Sequence, residues 1–151
     1  LPRRGGATQR TAPLRADERG IEVVEQRRRT CRDFTNLVRV SVGTDGEQLR
    51  VSGTTIGRDN RMWLVSALGF DLEMELAPLL VLFRYDDVPG VIGKVGTLFG
   101  DAGVNIANMA VSRTRRGGKA LMVLSVDSVP EPGLVERVRA EGFDDARLIS
   151  L

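Results

Sequence analysis

The 151-residue sequence contains no histidine, one cysteine and only two lysines. Without histidine the chain lacks the commonest general base, the commonest metal ligand, and every Ser-His or Cys-His arrangement for nucleophilic catalysis. Cys31 by itself excludes a disulfide or a thiolate metal cluster within one chain. Lys94 and Lys119 lie in no recognisable catalytic pattern. We therefore expect no catalytic residue, no metal site and no cofactor in this chain.

Long apolar runs are also missing, since no such run reaches the ~18 residues of a membrane-spanning helix. The N-terminus has no apolar core typical of a secretory signal. We expect no membrane partner and predict a cytoplasmic protein. With 42% hydrophobic and 28% charged residues, the composition is that of an ordinary globular protein.

The sequence pI of about 9.2 suggests a nucleic-acid-binding protein at first sight. The excess positive charge is concentrated in residues 1–35, however, and the remainder is slightly acidic. A surface that binds a nucleic-acid backbone needs Lys and Arg clustered beside aromatic stacking partners. The chain has few aromatic residues, namely one Trp, one Tyr and five Phe. We therefore expect no nucleic-acid partner.

The first half of the chain is predicted to contain a disordered segment and a partial domain. Residues 1–13 are rich in Arg, Gly, Thr and Pro without apolar periodicity, which is typical of disorder. Residues 14–77 are interpreted as part of a domain that is mostly antiparallel β, with Met62 and Trp63 in its core. Apolar and polar residues alternate there as in strands, over residues 36–43, 48–56, 62–66 and 72–76.

The second half, residues 78–151, alternates strand and helix patterns after Pro78. The predicted order is strand, helix, strand, strand, helix, strand. Pro89 is placed in the first turn of the first helix and Gly103 at its C-terminal cap, while Gly142 ends the second helix. This order predicts an α+β, ferredoxin-like βαββαβ domain with both helices on one face of a four-stranded antiparallel sheet.

Three glycines, Gly93, Gly96 and Gly100, fall within the first predicted helix. Each costs about 0.5–1 kcal/mol relative to Ala, so we expect the close approach of a sheet or of a neighbouring subunit. They do not match either glycine fingerprint of a nucleotide-binding loop. We interpret them as packing glycines.

The strongest candidate for a binding site is the segment from Tyr85 to Val91, because it places a phenol and a carboxylate before a helix N-terminus. Free backbone N–H groups at Gly90 and Val91 would attract a carboxylate, and Asp87 could hold an ammonium group. An amino-acid zwitterion matches both features. Asn105 could reach such a site from a symmetry-related copy. The alternative is that Asp87 is only a helix cap and Asn105 a turn residue.

Two weaker candidates are acidic and basic clusters. Asp144 and Asp145 could pair around a metal, but adjacent strand positions point to opposite faces. Arg113, Arg115 and Arg116 could meet a phosphate, although solvated charges on a hairpin are commoner.

The segment Tyr85–Ala107 (YDDVPGVIGKVGTLFGDAGVNIA) resembles the signature of an ACT domain, the amino-acid-sensing module of the ferredoxin-like fold. Residues 79–151 resemble, more narrowly, the C-terminal domain of long-form, actinobacterial-type D-3-phosphoglycerate dehydrogenases. Upstream, three motifs are similar to the intervening, or allosteric-substrate-binding, domain of those enzymes: APLRADERGI at 12–21, RDFTNL at 32–37 and VSGT at 51–54.

This resemblance implies an L-serine site between two paired ACT domains, formed by Tyr85, Asp87, Gly90, Val91 and, from the facing copy, Asn105. It implies a homodimer, or a tetramer built from it. The resembled enzymes oxidise 3-phosphoglycerate with NAD in serine biosynthesis, whereas this chain is expected to be their non-catalytic C-terminal fragment, with L-serine as feedback effector. Three alternatives stay open: a free-standing sensor or assembly module, a regulatory part of L-serine dehydratase, and a dimerisation domain without a ligand.

Overall fold

The computed structural model describes residues 16, 18–27, 33–44 and 47–151. Its helices and strands confirm the α+β class. The chain divides into two units, residues 1–32 and 33–151. In the first unit, the backbone N–H groups of Arg19 and Ile21 donate to the carbonyl oxygen of Ala16. The predicted disorder of residues 1–13 lies outside the described residues.

The second unit begins with a four-stranded antiparallel meander in the order β1-β2-β3-β4. The predicted alternation places these strands to within about two residues. Gly57 and Asn60 adopt positive φ values of 79° and 51° in the turn between β2 and β3. The four strands are β1 (Val38–Thr44), β2 (Glu47–Ile56), β3 (Arg61–Ala67) and β4 (Phe70–Glu75).

The rest of the chain forms the βαββαβ unit that the sequence predicts. Its sheet is antiparallel in the order β6-β7-β5-β8, so that β6 and β8 are its edges. The elements are β5 (Leu79–Asp86), α1 (Val91–Asp101), β6 (Ile106–Arg113), β7 (Lys119–Val126), α2 (Pro132–Ala140) and β8 (Asp145–Ser150).

One hydrophobic core lies between this second sheet and its two helices. Alternate residues of β5 point into it, and Phe83 and Phe99 are fully buried there. The cluster is formed by Val81, Phe83, Tyr85, Val95, Phe99, Val104, Ala120, Met122, Leu124, Val126, Leu134, Val138, Phe143 and Ala146.

A second core lies on the opposite face of the same sheet, where β3 and β4 pack against β5 and β7. Met74 has no exposed surface, and Leu121 and Val123 of β7 contact this cluster. Strand β7 is therefore covered on both faces, by the helices through its even-numbered apolar residues and by the meander through the odd-numbered ones. This position explains its continuous apolar sequence.

The meander is covered only in part, because its apolar face continues beyond β3 onto β1 and β2. Val40 pairs with Val51 and Val42 with Leu49, and all four are exposed. Together with Val38, which is 69% exposed, these residues form the β1–β2 apolar face. The predicted core position of Met62 is wrong, since this residue is 60% exposed near the far end of β3.

The N-terminal end of α1 differs from the prediction, and its C-terminal end agrees with it. The helix begins at Val91 after Gly90, whose φ is 92°, so Pro89 precedes the first turn and does not lie within it. Gly103, with φ 67°, follows the last turn and donates its N–H to the carbonyl oxygen of Gly100. Gly142, with φ 94°, likewise ends α2.

The three glycines inside α1 are exposed, and a Cβ atom added to any of them would meet nothing within 4 Å. The expectation that a sheet of the same chain approaches them is therefore wrong. The other predicted explanation, the close approach of a neighbouring subunit, stays a prediction. Neither helix of the described residues has the length and apolar character needed to span a bilayer.

Candidate functional site

The candidate site is built around the loop of residues 87–90, which joins β5 to α1. Tyr85 lies on the helix-facing side of β5 and is only 4% exposed. Its ring packs against Phe143 with 5.6 Å between ring centroids. The phenol is thus held in place by the core just before the chain enters the loop.

An open pocket of about 200 Å³ lies where this loop meets the start of α1. It holds four of the five predicted site residues, namely Tyr85, Asp87, Gly90 and Val91. The remaining lining residues are Val88, Pro89, Ile92, Gly93 and Val111. The volume suits a small molecule such as an amino acid and is below the ~300 Å³ lower end for drug-sized ligands.

The first turn of α1 contributes backbone donors to this pocket. The intrahelical ladder starts with the bond from Lys94 N–H to the Gly90 carbonyl oxygen, at 2.9 Å. The N–H groups before residue 94 have no partner within the helix, and no side chain caps them. This end also carries the positive side of the helix dipole, so the pocket favours a bound carboxylate.

Asp87 is not the cap of α1. Its Oδ2 atom accepts a hydrogen bond from Arg113 Nη1 at 3.0 Å and another from the Gly117 backbone N–H at 3.2 Å. Its own N–H donates to the Gly118 carbonyl oxygen at 2.8 Å. The helix-cap alternative is therefore wrong, and the residue is tied instead to the turn between β6 and β7.

The environment sets the protonation of both polar groups in the pocket. The hydrogen bond from Arg113, followed by that from the Gly117 N–H, lowers the pKa of Asp87, so its carboxylate stays ionised. Burial raises the pKa of Tyr85, and the nearby Asp87 charge raises it further. The phenol therefore stays a neutral hydrogen-bond donor. The pair offers an anion for an ammonium group and an O–H for a polar side chain.

Asn105 is the predicted site residue that lies elsewhere in the chain. It directly precedes β6 and is exposed, and its Nδ2 atom donates to Asp127 Oδ2 at 2.6 Å. Arg113, the neighbour of Asp87, ends the same strand. At ~3.3 Å per residue, the eight residues of β6 separate the two ends by roughly 25 Å. A single chain does not bring Asn105 to the pocket.

The sequence did not indicate five contributors to the site. Three line the pocket, namely Ile92, Gly93 and Val111, and two donate hydrogen bonds to Asp87, namely Arg113 and Gly117. Arg113 was grouped with solvated hairpin charges, and for this residue that interpretation is wrong. The contact between Arg113 and Asp87 follows from the register between β5 and β7, which the sequence pattern does not show. This register pairs Asp86 with Lys119, which brings residue 87 beside the turn that follows Arg113.

The acidic pair Asp144 and Asp145 does not form a joint site. Lys119 Nζ lies 2.7 Å from Asp144 Oδ2 and 2.8 Å from Asp86 Oδ1, and Asp145 pairs with Arg147. All of these side chains are at least partly exposed to solvent. Among the described residues, no group of three or more His, Cys, Asp or Glu side chains is suited to a metal ion.

A nucleotide cofactor such as NAD does not fit the glycine-rich helix. Gly93, Gly96 and Gly100 follow the first residues of α1 along its exposed surface and form no cradle around a phosphate. The pocket at the N-terminus of α1 is also too small for a dinucleotide. Neither the glycines of α1 nor this pocket therefore suits a dinucleotide.

Comparison with known families agrees with this fold. Residues 80–143 match the ACT domain model. The βαββαβ order of the second half of the chain agrees with this match. Residues 9–66 match the model of the D-3-phosphoglycerate dehydrogenase intervening domain. The two matches together are consistent with the C-terminal regulatory part of a D-3-phosphoglycerate dehydrogenase, as the sequence motifs predicted.

Three similar proteins carry the name D-3-phosphoglycerate dehydrogenase. That of Archaeoglobus fulgidus is 33% identical over 139 residues, covering 90% of this chain and 26% of the relative. That of Synechocystis is 34% identical over 142 residues, covering 93% and 25%. That of Mycobacterium tuberculosis H37Rv is 34% identical over 122 residues, covering 80% and 23%. The chain spans about a quarter of the length of these curated relatives.

Proposed function

We propose that the ACT domain of this chain binds L-serine as a feedback effector, at a site shared by two copies, and so regulates a D-3-phosphoglycerate dehydrogenase. The observation that carries the proposal is the pocket at the N-terminus of α1. It sets the ionised carboxylate of Asp87 and the neutral phenol of Tyr85 beside unpaired helical N–H groups. An α-amino acid with a short polar side chain complements all three.

Pairing through the edge strand β6 would complete the pocket. If two copies of β6 align antiparallel about a twofold axis, the start of one strand lies opposite the end of the other. Asn105 of the partner subunit then lies near Arg113, and hence near the pocket. The same edge carries exposed Val111, and Val88 and Ile92 expose 55% and 54% of their surfaces beside it. A neighbouring subunit would also account for the open glycines of α1.

The proposed effect on the enzyme is one of linkage. L-serine shifts the equilibrium between arrangements of the full-length subunits only if it binds one of them better, and couplings of about 1–3 kcal/mol are typical. Binding between two ACT domains would supply that difference by stabilising the paired arrangement. The parent activity would be the NAD-linked oxidation of 3-phosphoglycerate.

Calorimetric titration of L-serine into the purified chain tests the binding step, with D-serine and glycine as control ligands. We expect stereospecific heat that Asp87→Ala and Asn105→Ala each abolish. Asp71→Ala removes a carboxylate from β4 that does not line the pocket, so it is the matched control and should bind as the original chain does. A folded dimer that gives no heat would leave an assembly domain without a ligand.

A mixing experiment tests whether the site is shared. In a dimer of one Asp87→Ala chain and one Asn105→Ala chain, one of the two sites keeps both native residues. Co-expression should therefore recover about a quarter of the original sites, because half of randomly formed dimers are mixed. A site contained in one chain would recover none.

A further inference from the structure

The turn between β6 and β7 controls the position of Asp87 through three hydrogen bonds. Two reach the carboxylate, from Arg113 and from the Gly117 N–H, and one links the Asp87 N–H to the Gly118 carbonyl oxygen. The loop residue is thus fixed in both backbone and side chain by a single hairpin. Asp87 also retains only 21% of its side-chain exposure, although it lies in a surface loop.

Both side-chain hydrogen bonds of Asp87 end on the same oxygen, Oδ2. Among the described residues, Oδ1 has no donor. A carboxylate can accept on both oxygens, so this arrangement holds the group with one oxygen and leaves the other for a ligand. Arg113 and a ligand ammonium group therefore do not compete for one atom, and can bind the carboxylate together.

Arg113 brings a positive charge to the rim of the pocket. It follows the pocket residue Val111 by two positions on β6, and side chains at that spacing share one face of a strand. Its side chain is about half exposed and uses one guanidinium nitrogen to contact Asp87. The remaining N–H groups of the fork stay available to a second anion.

The side-chain charges that act on Asp87 are positive and exceed its own negative charge. The Asp87 carboxylate is faced by Arg113 and, at longer range, Arg116, and the helix N-terminus adds a partial positive charge. Asp86 and Asp144 share Lys119, and neither carboxylate lines the pocket. An amine that lacks a carboxylate would add another positive charge, whereas a zwitterion brings its own compensation.

We propose that Arg113 is a specificity-determining residue of this site, which fixes Asp87 through Oδ2 and makes the pocket select zwitterionic α-amino acids over amines that lack a carboxylate. This inference rests on the proposed function, and it adds a residue and a selection rule to it. Arg113 has two roles: its positive charge attracts the ligand carboxylate, and its hydrogen bond holds the Asp87 carboxylate in position.

The test compares L-serine with L-serinamide, which keeps the ammonium, the hydroxymethyl group and the chirality but replaces the carboxylate by a neutral amide. NMR titration of the full chain at about pH 6 keeps both ammonium groups charged and also measures weak ligands. We expect Arg113→Gln to reduce the affinity for L-serine by about tenfold and to leave that for L-serinamide unchanged or higher. The ratio of the affinity for L-serine to that for L-serinamide then falls by about tenfold or more.

Two control variants separate charge from structure. Arg113→Lys retains the charge and should keep most of the preference, while Arg115→Gln removes a charge from the same hairpin without touching Asp87 and should change neither affinity. If Arg113→Gln weakens or abolishes both ligands equally, Arg113 is only a structural brace and the inference is overturned. If the original chain binds neither ligand, the proposed function fails and this inference fails with it.

Discussion

Phe83 of β5 and Phe99 of α1 meet edge to face, with 5.9 Å between ring centroids and an interplanar angle of 77°. Both side chains are fully buried, and Phe143 tilts against Phe83 from the other side at 5.5 Å. Aromatic contacts of this geometry add about 0.5–1.5 kcal/mol to the burial of the rings. The helix that begins at the candidate pocket is thereby fixed to the strand that carries Tyr85.

Phe99→Ala should lower the free energy of unfolding by about 3–5 kcal/mol, because it removes a buried ring and leaves a cavity. Urea unfolding followed by circular dichroism measures the change. Thr97→Ala, at an exposed position of the same helix, should stay within about 0.5 kcal/mol of the original chain. Equal losses in the two variants would contradict the described packing of α1.

Met74→Ala tests the contact between the two sheets. Met74 is fully buried between β4 and the second sheet, so we expect a loss of about 2–5 kcal/mol. Met62→Ala is the same chemical change at a residue that is 60% exposed, and it should cost well under 1 kcal/mol. If both variants unfolded at the same urea concentration, the meander would not be packed as described.

Glycines of two kinds at α1 should respond oppositely to alanine. Gly90 has a φ of 92°, where Ala is strained by about 1–2 kcal/mol, so Gly90→Ala should destabilise the fold. Gly96 is helical and open, and Gly96→Ala should stabilise the isolated chain by about 0.5–1 kcal/mol. Thermal unfolding at low protein concentration measures both. Sedimentation should also show weaker self-association of Gly96→Ala if a partner covers this helix.

The titration of Asp87 should depend on Arg113. A carboxyl whose pKa is lowered in the folded state stabilises the fold above its unfolded pKa, and this contribution is lost as the pH falls through the folded pKa. Since the hydrogen bond from Arg113 is the main cause of the lowered pKa, Arg113→Gln should raise it towards the ordinary aspartate value. Carboxyl carbon NMR across acidic pH measures this shift. Arg115→Gln should leave the titration unchanged.

The β1–β2 apolar face should promote self-association. Val38, Val40 and Val42 lie on the edge strand β1 with more than half of their surfaces exposed. Exposed apolar edges of this kind favour association, and a lysine on the strand opposes it. Val40→Lys should therefore reduce light scattering at high concentration without lowering the urea midpoint. Ser41→Lys adds the same charge on the opposite face and should have a smaller effect.

Much of the fold could be predicted because its patterns are local. The alternation of Leu72 and Met74 and the three- and four-residue spacing of Val95 and Phe99 each depend on a single element's own buried face. Gly103 and Gly142 marked helix ends since only a residue without Cβ adopts positive φ easily. Met62 was misplaced because alternation reveals a sheet's two faces but not how far the neighbouring layer extends over them.

Most residues of the candidate site could be predicted from the sequence, but the hydrogen bonds that position them could not. Asp87 beside a helix N-terminus was visible from sequence, and the resemblance added Asn105 as a partner's contribution. The hydrogen bond from Arg113 joins residues 26 positions apart, and depends on which strands are neighbours and in what register. A linear pattern does not contain that information, so the charge that controls Asp87 was assigned to solvent.

Strand β7 separates the two hydrophobic cores by the thickness of a single backbone. Residues only ~3.3 Å apart along it face opposite layers, Leu121 towards the meander and Met122 towards the helices. Cutting the chain at Pro78 would therefore expose an apolar sheet face to water, so residues 79–151 should be poorly soluble by themselves. The same strand is hydrogen-bonded to β5, which carries Tyr85, and to β6, which carries Arg113. Because β4 also contacts β6 directly, a shift of the meander would reach the strand that lines the candidate pocket.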